Sequence, residues 1–392
     1  MKVANEVKIL IELIKSVLNE DFTKKISEEI CFDNFYSVSK AHGLSGFVAC
    51  CPEAMQQMPK EIQNKFRYEF NISVAKETAQ DLTVSKFLDK MEEAGIRCLP
   101  LKGFYIKNKY PTPALRQMTD TDILIAADKI EKIIPIMESL GMKYDHDTLH
   151  EAIFKSSQLV IELHKELVPS SLGKLYEYYK DGWNRAVLCS GKKFVYEMSP
   201  EDTYIFVVTH IAKHYVNGGI GIKHVADIFV MSKEVLDEEY INAELSKLCL
   251  EKFHSTLKNV ADMWFSTQKK DSYADETLAM ANFILGSGEF GNVENRISAG
   301  FRRTEAGKVT LWTKTKKLLR RVFPALGTMK LLYPAVNRCG ALYPIYAVIR
   351  IFDILFNRKK QIRTALMMAN AKQETVDSFA EHCSRMGLPK DL

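Results

Sequence analysis

The sequence predicts an α+β protein in which a small mixed sheet, flanked by helices, sits between an N-terminal and a C-terminal helical region. Three observations predict it. Short apolar runs with strand character crowd into residues 96–165 and alternate there with helical stretches. Before about residue 95 and after about residue 200, the apolar positions recur with the period of amphipathic helices instead. No GxGxxG lies within residues 96–165, and this α/β segment is too short for a dinucleotide-binding fold.

Taken in order, residues 6–19 place Val7, Ile9, Leu10, Leu13, Ile14 and Leu18 on one helical face. A second helix over 33–42 is stopped by Gly43. Pro59 opens a helical pattern that runs to Ala94, with Gly95 just past its end; its length predicts a break near Asn71. A strand over 98–101 leads through Lys102-Gly103 into a helix over 104–109. The next strand begins at Asp120-Thr121-Asp122 and continues through Ile123, Leu124 and Ile125. A helix over 127–140 stops at Gly141, and a strand over 142–144 follows. Two short strands joined through Ser156-Ser157 come next, the second being Val160–His164. Beyond the Ser190-Gly191 turn, residues 192–197 read as a strand. Ser199-Pro200-Glu201-Asp202 then combines an N-cap, a proline at the first helical position and acids in the first turn. That helix ends before Asn217-Gly218-Gly219, another starts near Lys223, and the pattern stays helical to about 285. The expected division is an N-terminal helical region (1–95), an α/β core (96–170), a helical domain (171–295) and a basic C-terminal helical region (296–392).

A chain of 392 residues, 46% hydrophobic and 26% charged, can bury a large core and is not of disordered composition. Its eight cysteines are scattered, without CxxC or zinc-like Cys/His spacing, which reads as a reducing, cytoplasmic setting. The first residues mix acids among apolar positions, unlike a signal peptide, and no apolar run is long enough to span a bilayer. The net charge of +5 is unevenly spread. Residues 300–363 hold fifteen Lys and Arg against Glu305 and Asp353, interleaved with Trp312, Phe323, Tyr333, Tyr343, Tyr346, Phe352 and Phe356. Such a stretch is most often a solvated surface; nucleic acid or an anionic membrane is its functional reading.

Strand alternation puts Asp120 and Asp122 on one face, with Cα atoms roughly 6.6–7 Å apart. Two carboxylates that close repel unless a cation lies between them, and hard oxygens suit Mg²⁺ or Mn²⁺. The bland alternative is a pair of acids flanking a buried strand. Glu162, between Ile161 and Leu163, faces away from both; it is either a third carboxylate of the site or a solvent-facing strand edge. His164 shares its face, to orient a phosphate or acceptor or simply to finish the strand. Lys102 offers a mobile charge and Arg116 a rigid fork for phosphate oxygens, the alternative for Arg116 being an ion pair with the nearby aspartates. Gly103 permits close backbone approach, and the helix start beside it offers free N–H groups to an anion. His210 and His214 are spaced i,i+4, a geometry that can hold a metal, but no HExxH glutamate or third ligand accompanies them. Packing or hydrogen bonding is the favoured reading of that pair.

The motifs LPLKG, Tyr110-Pro111, Arg116, MTDTDILI and Val160-Ile161-Glu162-Leu163-His164 resemble the uncharacterised nucleotidyltransferase family of the polymerase-β-like superfamily. The resemblance extends from about residue 30 to about 350 and is densest between Leu99 and His164. It implies the nucleotidyltransferase fold. It also implies Mg²⁺-dependent transfer of a nucleoside monophosphate from an NTP to an acceptor hydroxyl, releasing pyrophosphate. In that reading Asp120, Asp122 and Glu162 are the catalytic, metal-holding residues, and Lys102, Gly103, Arg116 and His164 bind the nucleotide. One departure stands out: Lys102-Gly103 replaces the superfamily's Gly-Ser at the phosphate-binding turn. The family also shows an H…KH helix followed by a basic residue and an Asp, matched here by His210, Lys213-His214, Lys223 and Asp227, which brings the helical domain towards the pocket. The acceptor stays open between a small molecule, a sugar, a protein hydroxyl and an RNA end. The alternatives are a non-catalytic nucleotide-binding protein on this fold, supported by the missing Gly-Ser, and an RNA-binding or RNA-modifying protein using residues 300–363.

Overall fold

The sheet is built around the strand that carries the acidic motif. The computed structural model describes residues 5–148, 150–268, 270–288, 291–303, 307–390 and 392. Glu305 lies outside them, as do the side chains of Lys359 and Lys360. Five strands, β1 (Cys98–Pro100), β2 (Thr121–Ile125), β3 (Lys143–Asp147), β4 (Glu151–Lys155) and β5 (Val160–His164), pair in the order β1-β2-β5-β4-β3. β2 and β5 run parallel and the other pairs antiparallel, so the sheet is mixed. The parallel register sets Asp122 directly opposite Glu162.

The helices before the sheet are α1 (Asn5–Leu18), α2 (Phe32–Ala41), α3 (Ser45–Ala49), α4 (Pro52–Gln56) and α5 (Lys60–Glu93). The break expected near Asn71 does not form: α5 is one helix of 34 residues. A single asparagine costs only tenths of a kcal/mol in a helix, whereas both halves of α5 are anchored by burial. Ile62 and Phe66 enter one core, and Val84, Phe87 and Met91 enter another. The expected helix over 104–109 divides into α6 (Gly103–Ile106) and a 3₁₀ turn over Lys107–Lys109. Lys107 is fully buried in it, its Nζ held by Glu77 at 2.8 Å and Asp81 at 2.7 Å, both from α5.

After β2, α7 (Ile130–Ser139) covers one face of the sheet together with the end of α5. Ile123, Ile125, Ile161 and Leu163 point into this layer with Ile133 and Met137. The other face points to the helical side of the molecule. α8 (Gly173–Tyr179) leads to a hairpin of β6 (Ala186–Leu188) and β7 (Tyr196–Met198). The strand expected over 192–197 is thus shorter and later. The N–H groups of Lys193 and Phe194 donate to the Glu92 carboxylate at 2.7 and 2.8 Å instead of joining a ladder.

The C-terminal half is helical: α9 (Pro200–Val216), α10 (Ile222–Met231), α11 (Glu238–Lys247), α12 (Glu251–Phe265) and α13 (Asp275–Ser287). Then follow α14 (Val293–Arg302), α15 (Leu311–Val322), α16 (Leu326–Leu332), α17 (Pro334–Arg338), α18 (Tyr343–Asn357), α19 (Lys359–Ala369) and α20 (Gln373–Arg385). As its sequence requires, α9 is capped by Ser199, whose hydroxyl accepts the Asp202 N–H at 3.0 Å. The largest core joins α1 and the start of α5 to α9, α10, α12 and α20. Regions far apart in the chain therefore share one interior, in which each large apolar side chain contributes roughly 1.5–3 kcal/mol.

Candidate active site

The face of β2 and β5 turned towards the helices carries the acidic motif. Asp122 and Glu162 face each other across the parallel pair, and His164 follows Glu162 by one strand period. Asp122 accepts from Lys102 Nζ at 2.9 Å on one oxygen and shares the other with His164 Nε2 at 2.7 Å. His164 Nδ1 in turn lies 3.8 Å from Glu151, its opposite number on β4. Ligand atoms of Asp122, Glu162 and His164 all lie within 4.8 Å of one another. Asp120 precedes the strand, outside this triple, but lines the same cavity and acts on Glu162 through its charge.

Electrostatics separates the two facing carboxyls. Burial works to raise the Asp122 pKa, but the Lys102 ammonium and the His164 hydrogen bond prevail and hold it well below the usual carboxylate range. Burial of Glu162, with the charges of Asp120, Asp122 and Glu151 beside it, pushes that carboxyl up to about 7. One acid is locked ionised and the other is poised to exchange a proton near neutrality, the pairing expected where a base is needed.

The turn after β1 has its own strain. Lys102, not Gly103, adopts the left-handed backbone, with φ +43°. That conformation costs on the order of 1–3 kcal/mol for a residue with a side chain and persists only where its surroundings hold it. Here the ammonium is fastened to Asp122 and lies 5.6 Å over the Phe206 ring of α9. Gly103 matters for space: a Cβ there would stand 2.4 Å from Met118 Sδ and 2.5 Å from Arg116 Nη1. Since α6 has only four residues, the helix start expected to attract an anion has little dipole behind it.

Arg116 turns to the helical domain rather than to the neighbouring aspartates. Its Nε and Nη2 form a two-pronged pair with Asp227 of α10 at 2.8 Å each, and Tyr110 donates to the same carboxylate at 2.7 Å. Asp227 is 1% exposed, so this is a buried clamp between the segment leading into β2 and the helical wall. Lys223 adds a bond from Nζ to the Gln117 carbonyl at 3.2 Å.

Between sheet and helices lies a cavity of about 290 Å³, lined by Lys102, Gly103, Arg116, Asp120 and Asp122 from one side. His210, His214, Lys223, His224 and Arg296 line it from the other. The ring centres of His210 and His214 are 4.3 Å apart, and those of His214 and His224 are 6.4 Å apart. Burial, reinforced by the Lys102 charge, holds His210 well below its ordinary pKa; burial and the charge of Lys213 lower His214 to about 3. Burial and Lys223 lower His224 to about 4. This wall is therefore three neutral imidazoles near a lysine, Lys213, whose burial brings it down to about 8. Among the described residues, no third metal-ligating group joins His210 and His214. Of the residues singled out in the motif stretch, Lys102, Gly103, Arg116, Asp120 and Asp122 line the cavity, while Glu162 and His164 stand beside Asp122 on β5. His224 and Arg296 line it, and Glu151 stands beside His164, without having been anticipated. Only Glu151 was within reach: pairing Lys155 with Val160 across the Ser156-Ser157 turn and counting back sets it opposite His164.

Comparison with known proteins places this cleft in a family context. A family model described as uncharacterised nucleotidyltransferase matches residues 28–266. No curated protein matches the chain. Among solved structures, the solution structure of the antibiotic-resistance factor ANT(2'')-Ia is similar at a TM-score of 0.33 and 14% identity, covering 46% of this chain and 98% of that one.

Proposed function

The chain belongs to the uncharacterised nucleotidyltransferase family, a family of nucleotide-transferring enzymes, and from that premise we propose that it moves a nucleoside monophosphate from an NTP to an acceptor hydroxyl with Mg²⁺ or Mn²⁺. The observation that carries this reading is the register that sets Asp122 against Glu162, with Asp120 at the same cavity. The donor set fits a hard divalent cation: ligand atoms of Asp122, Glu162 and His164 converge, and the charges of Asp120 and Glu151 act on Glu162 beside them. Asp120, Asp122 and Glu162 would hold it, with His164 beside them. When bound, such a cation neutralises charge developing on the phosphate oxygens.

The protein's own residues do the rest. Lys102 sets an ammonium at the cavity floor for a phosphate oxygen, while Gly103 gives the room in which Arg116 keeps the turn against Asp227. Glu162 takes the proton of the acceptor hydroxyl as its oxygen bonds to the α-phosphorus. The bond from the α-phosphorus to the bridging oxygen breaks, and pyrophosphate leaves with that electron pair. His164 holds Asp122 in place from the side opposite Lys102. That Lys102 and His164 already occupy both oxygens of Asp122 joins the missing Gly-Ser in favouring a non-catalytic nucleotide-binding role.

Labelled NTPs incubated with the protein and a cell extract, with and without Mg²⁺, test the two readings. Label transfer that needs Mg²⁺ and falls at least about 10²-fold in Asp120→Asn and Asp122→Asn supports the enzyme. NTP binding that ignores Mg²⁺ and is unchanged in both variants, by calorimetric titration, removes the assigned roles.

A further inference from the structure

We propose that the layer formed by α15, α18 and α19 docks on the surface of an anionic lipid bilayer. α18 is turned inside out relative to a helix of a water-soluble surface. Its outward stripe is apolar: Ile345 is 58% exposed, Phe352 56% and Phe356 74%, with Val348 and Ile349 between them at helical spacing. Its inward face carries Arg350, 7% exposed, whose Nη2 donates to the Arg321 carbonyl at 3.3 Å. α15 repeats the arrangement with charge added. Trp312 is 72% exposed and Leu319 51%, and Lys316 and Arg320 share that exposed face. None of its residues is buried.

Charge decides the occupant. Between residues 307 and 372 the chain contains a single acid, Asp353, and Arg358 already takes it at 2.6 Å. The exposed apolar stripe of α18 and the exposed tryptophan, lysine and arginine of the neighbouring α15 together suit the boundary between headgroups and acyl chains. The apolar side chains enter the bilayer, and each basic group meets a phosphate. A phosphate-lined nucleic acid would satisfy Lys316 and Arg320 but leave Ile345, Val348, Ile349 and Phe352 in water. α18 has 15 residues, and none of the described helices is long and apolar enough to cross a membrane, so the layer lies on the surface.

The test is sedimentation of the full chain with vesicles of phosphatidylcholine alone and with about one third phosphatidylglycerol. The expected result is partition into the anionic vesicles at least about tenfold stronger than into neutral ones, weakened by salt. Ile349→Ser with Phe352→Ser, and separately Lys316→Glu with Arg320→Glu, should each reduce it about tenfold while circular dichroism and melting stay unchanged. Three results would overturn the proposal. One is equal or absent binding to both vesicles. Another is a dimer that the Ile349/Phe352 variant splits into monomers on size exclusion. The last is RNA binding that the same variant leaves intact without vesicle binding.

Discussion

The cleft and the α15–α19 layer use the same kinds of residue in opposite ways. In and beside the cleft, these buried basic groups each have an acid: Lys102 has Asp122, Arg116 has Asp227, and Lys107, packed against α5, has Glu77 and Asp81. Apolar side chains there are enclosed. In the layer, Trp312, Phe352 and Phe356 are outside, while Arg350 is inside with its Nε and Nη1 unpartnered among the described residues. Burying a charge is tolerable only when a counter-charge and hydrogen bonds are built around it. The cleft meets that condition and the layer does not, so the cleft should be rigid and sensitive to substitution, the layer indifferent.

The largest expected effect is at the clamp. Asp227→Ala strands a buried guanidinium and should cost about 3–5 kcal/mol, read from urea unfolding, with Asp227→Asn costing less. A loss under about 1 kcal/mol would erase the contrast, showing that Arg116 is solvated after all.

Next comes Glu162→Gln, which should keep Mg²⁺·NTP binding but reduce transfer by at least about 10²-fold. In the unmutated protein, transfer should rise with pH through about 7, as the carboxyl becomes the base. Bound Mg²⁺ should move that rise to lower pH, because a cation favours the charged form. The sign for stability is the reverse. A carboxyl whose folded pKa lies above its ordinary 4.5 holds its proton better in the folded state, so stability falls as pH rises from 4.5 towards 7. Asp122, shifted down, contributes stability that is lost only as the pH falls below its ordinary 3.8. A pH-independent rate, or undiminished transfer by the Gln variant, would return Glu162 to a mere strand edge.

The smallest effect is expected in the layer. Arg350→Met replaces an underpaired buried charge with an apolar side chain of similar length, and should leave stability unchanged or raise it by about 1 kcal/mol. Destabilisation beyond about 2 kcal/mol in the same urea assay would mean that the layer, too, is organised around a charge.

Local chemistry was enough for much of the site. Alternation along a strand places Glu162 and His164 on one face whatever surrounds them, and the serine, proline and acids at 199–202 start a helix in almost any context. The mixed sheet was legible for the same reason, since its strands and turns are short-range patterns. Tertiary structure decided what depends on which surfaces meet. Arg116 finds Asp227 across 111 positions of chain, and Glu92 takes the N–H groups of Lys193 and Phe194 and so shortens a strand. α5 runs unbroken past Asn71 because each half is held in a different core. Most telling is α18, whose periodicity marks an apolar stripe but not its direction. A helix wheel has no inside until another surface covers one side, and here the covered side is the one with the arginine.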